Sequence, residues 1–138
     1  MPCCSARSKL AAVPVRVVLV EDNDVFRETL ELLLGLRGDL EVVASVATGN
    51  EAVAVCAALQ PDVVLVDYRM PGLNGTQTTA EVLRASPRSS VVCLTASISA
   101  DETASLLRAG AVACLRKDEE LDRIVASIRA AAAPASAA

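Results

Sequence analysis

Five short apolar runs recur along the chain, each followed by a stretch with helical periodicity, and this alternation limits the fold more than any single residue does. The runs cover residues 15–20, 40–47, 62–67, 91–95 and 112–116. They are rich in β-branched residues and too short for typical helices, so they read as strands. Val63-Val64-Leu65-Val66 is apolar without interruption, as expected of a central strand buried on both faces. Strands that alternate with helices predict a parallel sheet with helices on both faces and right-handed crossovers, a doubly wound α/β fold.

The helical stretches carry their own start and stop signals. Asn23 or Asp24 can cap a first helix running to about Arg37, with Phe26, Leu30, Leu33 and Leu34 on one face. Gly35 weakens that helix, and Gly38 can stop it. Thr48 and Glu51 fit a capping box for a second helix reaching Leu59, which Pro61 ends. A third helix is expected from about Thr76 to Ala85. Ser99 and Glu102 form another capping box for a fourth, with Gly110 at its C′ position. Asp118 is expected to cap the fifth, where Leu121, Ile124, Val125 and Ile128 fall at i, i+3, i+4 and i+7. Residues 1–14 read as a flexible leader, 15–130 as one domain, and 131–138 as a flexible tail or linker stub.

Composition excludes several function classes. The net charge of −4 and the two aromatic residues, Phe26 and Tyr68, argue against a phosphate-neutralising or base-stacking nucleic-acid surface. With no histidine, the chain cannot build Ser-His-Asp or Cys-His nucleophilic sites or His-ligated metals, and it cannot carry phosphohistidine. Cys3, Cys4, Cys56, Cys93 and Cys114 form no C-x-x-C pair, and the last three fall inside apolar elements. Reduced thiols in a cytoplasmic protein are the simplest reading. Arg7, Lys9 and the residues after them weakly resemble a signal sequence, but Pro14 and Arg16 interrupt the run. No stretch is long enough for a membrane span.

Polar groups then gather where such a sheet binds ligands, at the carboxyl ends of its strands. Glu21 and Asp22 follow the first strand, Asp67 ends the third, Thr95 the fourth, and Lys117 follows the fifth. Taken singly, Glu21-Asp22 fits a helix cap, Thr95 an ST-turn and Lys117 a solvated strand end. Their coincidence in this order is what points to a site. Two carboxylates about 4 Å apart repel by about 4 kcal/mol at an effective dielectric near 20, so three of them invite a proton or a cation. Mg²⁺ suits an all-oxygen set. Lys117 adds a second positive charge and Thr95 a directed hydroxyl, which together could stabilise a phosphoryl group moving in line onto an Asp67 oxygen.

The segments VVLVEDN, PDVVLVDYRMPGLNG, VVCLTAS and GAVACLRKD resemble a receiver domain of a two-component response regulator, of the NarL/FixJ type, over about residues 15–130. The resemblance implies a flavodoxin-like (βα)5 sheet of order 2-1-3-4-5. It implies that Asp67 accepts phosphoryl from a histidine kinase or phosphotransfer protein. It further implies Mg²⁺ or Mn²⁺ held by Asp22, Asp67 and the Arg69 main-chain carbonyl, with Glu21 acting through water. Thr95 and Lys117 would hold phosphoryl oxygens, while Arg69 and Ser97 would tune hydrolysis in a direction the sequence leaves open. Such receivers usually carry an aromatic three residues before the lysine, where this chain has Cys114. A cysteine cannot swing a large ring, so the loop after Thr95 and the fourth helix are expected to carry the switch instead.

Such a protein is a self-phosphorylating and autodephosphorylating switch rather than a metabolic enzyme. Its output would be a downstream protein or an output domain, as in a longer DNA-binding transcription regulator. A homodimer could form through helices 1 and 5, or through the fourth helix, fifth strand and fifth helix. Two other readings compete. A haloacid-dehalogenase-like phosphatase would need a second Asp two residues after the nucleophile, where Arg69 stands. A phosphorylation-independent interaction module would not need Glu21, Asp22, Asp67, Thr95 and Lys117.

Overall fold

The computed structural model describes residues 13–97 and 99–133. Ten elements alternate: β1 (Val15–Val20), α1 (Asp24–Gly35), β2 (Leu40–Val46), α2 (Gly49–Leu59), β3 (Val63–Asp67), α3 (Gly75–Ala85), β4 (Ser90–Thr95), α4 (Ala100–Ala109), β5 (Ala113–Arg116) and α5 (Leu121–Ala132). The strands form one parallel sheet of order β2-β1-β3-β4-β5, the doubly wound 2-1-3-4-5 arrangement. β3 lies at its centre and is buried along its whole length, which is why its sequence shows no polar alternation before Asp67.

The two-residue period of the strands divides the interior into two layers. Val17, Leu19, Val63, Leu65, Val92 and Leu94 face α1 and α5, where Leu30, Leu34, Ile124, Val125 and Ile128 complete one cluster. Val18, Val20, Val64, Val66, Val91 and Cys93 face the other side, packed with Ala52 and Cys56 of α2, Val82 of α3 and Leu106 of α4. Cys56 and Cys93 are buried free thiols and Cys114 is half-buried; Cys3 and Cys4 lie outside the described residues.

Most helix ends follow local chemistry. The Asn23 side chain accepts from the Phe26 N–H, and Ser99 and Glu102 form a reciprocal capping box. Gly110 ends α4 at φ 117°, a left-handed conformation that glycine adopts without strain. A capping box between Asn74 and Gln77 opens α3 and was not anticipated from the sequence. At α2 the expected box is only half formed: Thr48 accepts from the Glu51 N–H, but Glu51 reaches back to the N–H of Ala47.

Three boundaries depart from expectation. α1 stops at Gly35 rather than near Arg37, because the N–H of Leu36 bonds back to Leu33 and tightens the last turn. α5 runs on to Ala132, since Ala131 and Ala132 still pack on the α1–α5 cluster. Asp118 does not cap α5, which begins after Glu120 with no side-chain cap. Its carboxylate instead accepts from Nε and Nη2 of the nearby Arg116 guanidinium, at 2.9 and 3.0 Å, a charge-assisted pair that outcompetes a neutral cap. Residues 1–12 of the expected leader and 134–138 of the expected tail lie outside the described residues.

Candidate functional site

All five strands are parallel, so their carboxyl ends share one edge of the sheet, and there the structure brings distant residues together. The Lys117 ammonium lies 2.6 Å from Glu21 Oε1 and 3.3 Å from Asp67 Oδ2. Its position follows from β5: the Lys117 N–H donates to the Thr95 carbonyl at 2.9 Å, continuing the ladder one residue past the strand. The Phe26 ring of α1 lies 4.9 Å from the same ammonium, a cation–π contact. Glu21, Asp22 and Asp67 each offer a carboxylate oxygen within 4.8 Å of the others. Glu21 and Asp67 are buried, whereas Asp22 faces solvent.

Burial and the charge of Glu21 push the Asp67 carboxyl up to about 7, against the opposing pull of Lys117. Burial alone would lower the Lys117 pKa, but the hydrogen bond to Glu21 and the charges of Asp67 and Glu21 outweigh it and leave the value raised. The site therefore holds more negative charge than one lysine neutralises, a condition that favours a cation. The donors are all carboxylate oxygens, the set that suits a hard divalent ion.

Several neighbours fix these groups. Glu21 Oε2 accepts from the Asn23 N–H at 3.0 Å, and Arg27 donates to the Glu21 carbonyl at 2.8 Å. The Arg69 N–H lies 3.4 Å from Asp67 Oδ1. The loop after β3 is tight, closed by Gly75 N–H to Tyr68 C=O at 2.8 Å. A side chain at Gly75 would put its Cβ 2.7 Å from Tyr68 Cα. Thr95 is fully buried, and its hydroxyl is turned into its own loop, donating to the Ser97 carbonyl at 3.0 Å and accepting from the Ser97 N–H at 3.3 Å. The Arg69 side chain leaves the pocket and pairs with Glu102 of α4 at 3.1 Å.

Cys114 pairs in register with Cys93 across β4 and β5. Burial raises both thiol pKa values, so they behave as packing groups. Sequence reasoning placed Phe26 in a helix face and Glu102 in a cap, and missed the second contact of each. Arg27 was missed altogether; a guanidinium six residues after Glu21, in the first turns of α1, was the available signal.

A family model described as the response regulator receiver domain matches residues 17–129. The chain is 36% identical over 114 residues to the transcriptional regulatory protein LnrK of Bacillus subtilis, a match covering 83% of this chain and 52% of that protein. It is 35% identical over 115 residues to the response regulator GacA of Pseudomonas viridiflava, covering 83% and 54%. The chain thus spans about half the length of these relatives. Among solved structures, the signal receiver domain of a NarL response regulator from Mycobacterium tuberculosis superposes with a TM-score of 0.82 at 34% identity, covering 88% of this chain and 98% of that one.

Proposed function

Since the chain belongs to the response regulator receiver domain family, a signalling family rather than one of metabolic enzymes, we propose that Asp67 takes up a phosphoryl group from a phosphohistidine on a histidine kinase or phosphotransfer protein. The observation that carries this reading is the ammonium of Lys117 set between Glu21 and Asp67 at the carboxyl edge of the sheet. In the transfer, an Asp67 oxygen bonds to phosphorus as the donor P–N bond breaks. The electron pair of that bond stays on the imidazole, which takes a proton from solvent.

Each residue has a task in this step. Lys117 stays protonated and turns from the carboxylates to a phosphoryl oxygen. The Thr95 hydroxyl exchanges its bond to Ser97 for another phosphoryl oxygen. Asp22, Asp67 and the Arg69 carbonyl would hold Mg²⁺ or Mn²⁺ directly and Glu21 through water, consistent with Glu21 oxygens already engaged by Lys117 and Asn23. When bound, the ion supplies positive charge that keeps Asp67 ionised and neutralises the phosphoryl group. Arg69, two residues after the acceptor, and Ser97, bonded to Thr95, would govern water access during autodephosphorylation. Cys114 supplies no ring to report the change, so β4–α4 carries it to a downstream protein, an output domain or a second copy of the chain. The proposed domain covers residues 15–130, with the last helix running on to Ala132. No helix among the described residues is long and apolar enough to cross a membrane, in keeping with a cytoplasmic setting.

Acetyl phosphate, Mg²⁺ and intact-mass measurement test the proposal. A phosphoryl increment is expected on the wild type, absent from Asp67→Asn and lost in EDTA. An increment that survives Asp67→Asn would place the acceptor elsewhere.

A further inference from the structure

Arg69 stands two residues after the acceptor, yet its guanidinium points away from it. Arg69 Nη2 lies 3.1 Å from Glu102 Oε1, an ion pair linking the loop after β3 to the first turn of α4 across 33 residues of sequence. The guanidinium also sits 5.4 Å from the centroid of the Tyr68 ring. The same Glu102 oxygen accepts from the Ser99 N–H at 2.9 Å, so the partner of Arg69 is itself held by the α4 capping box. The backbone of Arg69, by contrast, is anchored beside the acceptor through its N–H near Asp67 Oδ1. The side chain is therefore rooted at the pocket and parked outside it.

We propose that Glu102 is a positioning residue for the chemistry at Asp67: it parks the Arg69 guanidinium against α4 and yields it to the phosphoryl oxygens once they arrive. The inference rests on the reading of Asp67 as phosphoryl acceptor. Two charges compete for one guanidinium. A carboxylate offers one negative charge, whereas a phosphoryl group carries about 1.5 to 2 and three acceptor oxygens, and Arg matches that geometry with two parallel N–H bonds. Arg69 is exposed and Glu102 only partly covered, so loss of the pair costs little and the exchange is reversible. When Arg69 leaves, the first turn of α4 loses its tie to the acceptor loop. This gives the chain a route from Asp67 to α4 that needs no ring at Cys114. Parking also has a kinetic consequence, because it removes a positive charge from the mouth that an anionic phosphodonor must enter.

The test is saturation kinetics of phosphoryl uptake from acetyl phosphate with Mg²⁺, read by intact mass, in which the donor O–P bond breaks, acetate leaves and the Asp67 O–P bond forms. Glu102→Gln is the informative variant, since its side-chain carbonyl can still accept from the Ser99 N–H while the charge is gone. The half-saturating acetyl phosphate concentration should fall about two- to fivefold at low salt, with the effect erased by added salt. In an Arg69→Gln background the same substitution should have no effect. A Glu102→Gln shift of equal size in that background would overturn the inference, because the effect would then come through α4 alone. Uptake by the wild type with no shift in Glu102→Gln would overturn it while leaving the acceptor reading intact. Absence of uptake by the wild type would overturn both.

Discussion

Replacing Asp67 with Asn should stabilise the metal-free protein, although it deletes a partner of Lys117. The carboxyl is pushed up to about 7 from an ordinary 3.8, first by burial and then by Glu21. That gap of roughly 3 units is equivalent to roughly 4 kcal/mol between the ionised and neutral forms. Asn resembles the neutral form, and Lys117 keeps its 2.6 Å contact with Glu21, so no ammonium is left alone. Allowing for altered hydrogen bonding at the new amide, the gain above pH 7 should be about 2–4 kcal/mol, a rise in Tm on the order of 10 °C. The sign follows from proton linkage. Between 3.8 and about 7 the folded state binds more protons at Asp67 than the unfolded state does, so wild-type stability falls as pH rises through that window. The advantage of Asp67→Asn should be near zero around pH 4 and full above pH 7. Thermal melts of both proteins in EDTA, followed by circular dichroism across this range, measure it. The reasoning is refuted if Asp67→Asn melts at or below the wild type at pH 8, or if the difference does not shrink on acidification.

The opposite substitution has the opposite result: Lys117→Met leaves Glu21 and Asp67 without a counter-ion and should lower metal-free stability at neutral pH by roughly 3 kcal/mol in urea titrations. Gly75→Ala should cost about 1–3 kcal/mol in the same assay, because its Cβ would sit 2.7 Å from the Tyr68 backbone and 2.9 Å from the Tyr68 ring, so the acceptor loop must shift. Asp118→Ala should leave the melting temperature unchanged, whereas Ser99→Ala should lower stability by about 1 kcal/mol, since of these two residues Ser99 caps a helix and Asp118 does not.

The sequence by itself determined the order and type of every element and the doubly wound sheet. Short β-branched apolar runs, helical periodicity and caps such as Ser99–Glu102 are properties of a few consecutive residues. It also placed Glu21, Asp22, Asp67, Thr95 and Lys117 at one edge, because parallel strands must end together. Tertiary structure decided which partner each side chain takes. Asp118 stands close enough to the last helix to suggest a cap, yet the guanidinium of Arg116 claims it. Thr95 could have faced Asp67, but its loop turns the hydroxyl toward Ser97. Arg69 and Glu102 are 33 residues apart, and nothing local in either segment announces that they meet. The physical reason is reach. Backbone preferences act over a turn or a strand, whereas hydrogen bonds and ion pairs act within about 3–4 Å, a distance that only the packing of α1, α4 and the strand ends can set.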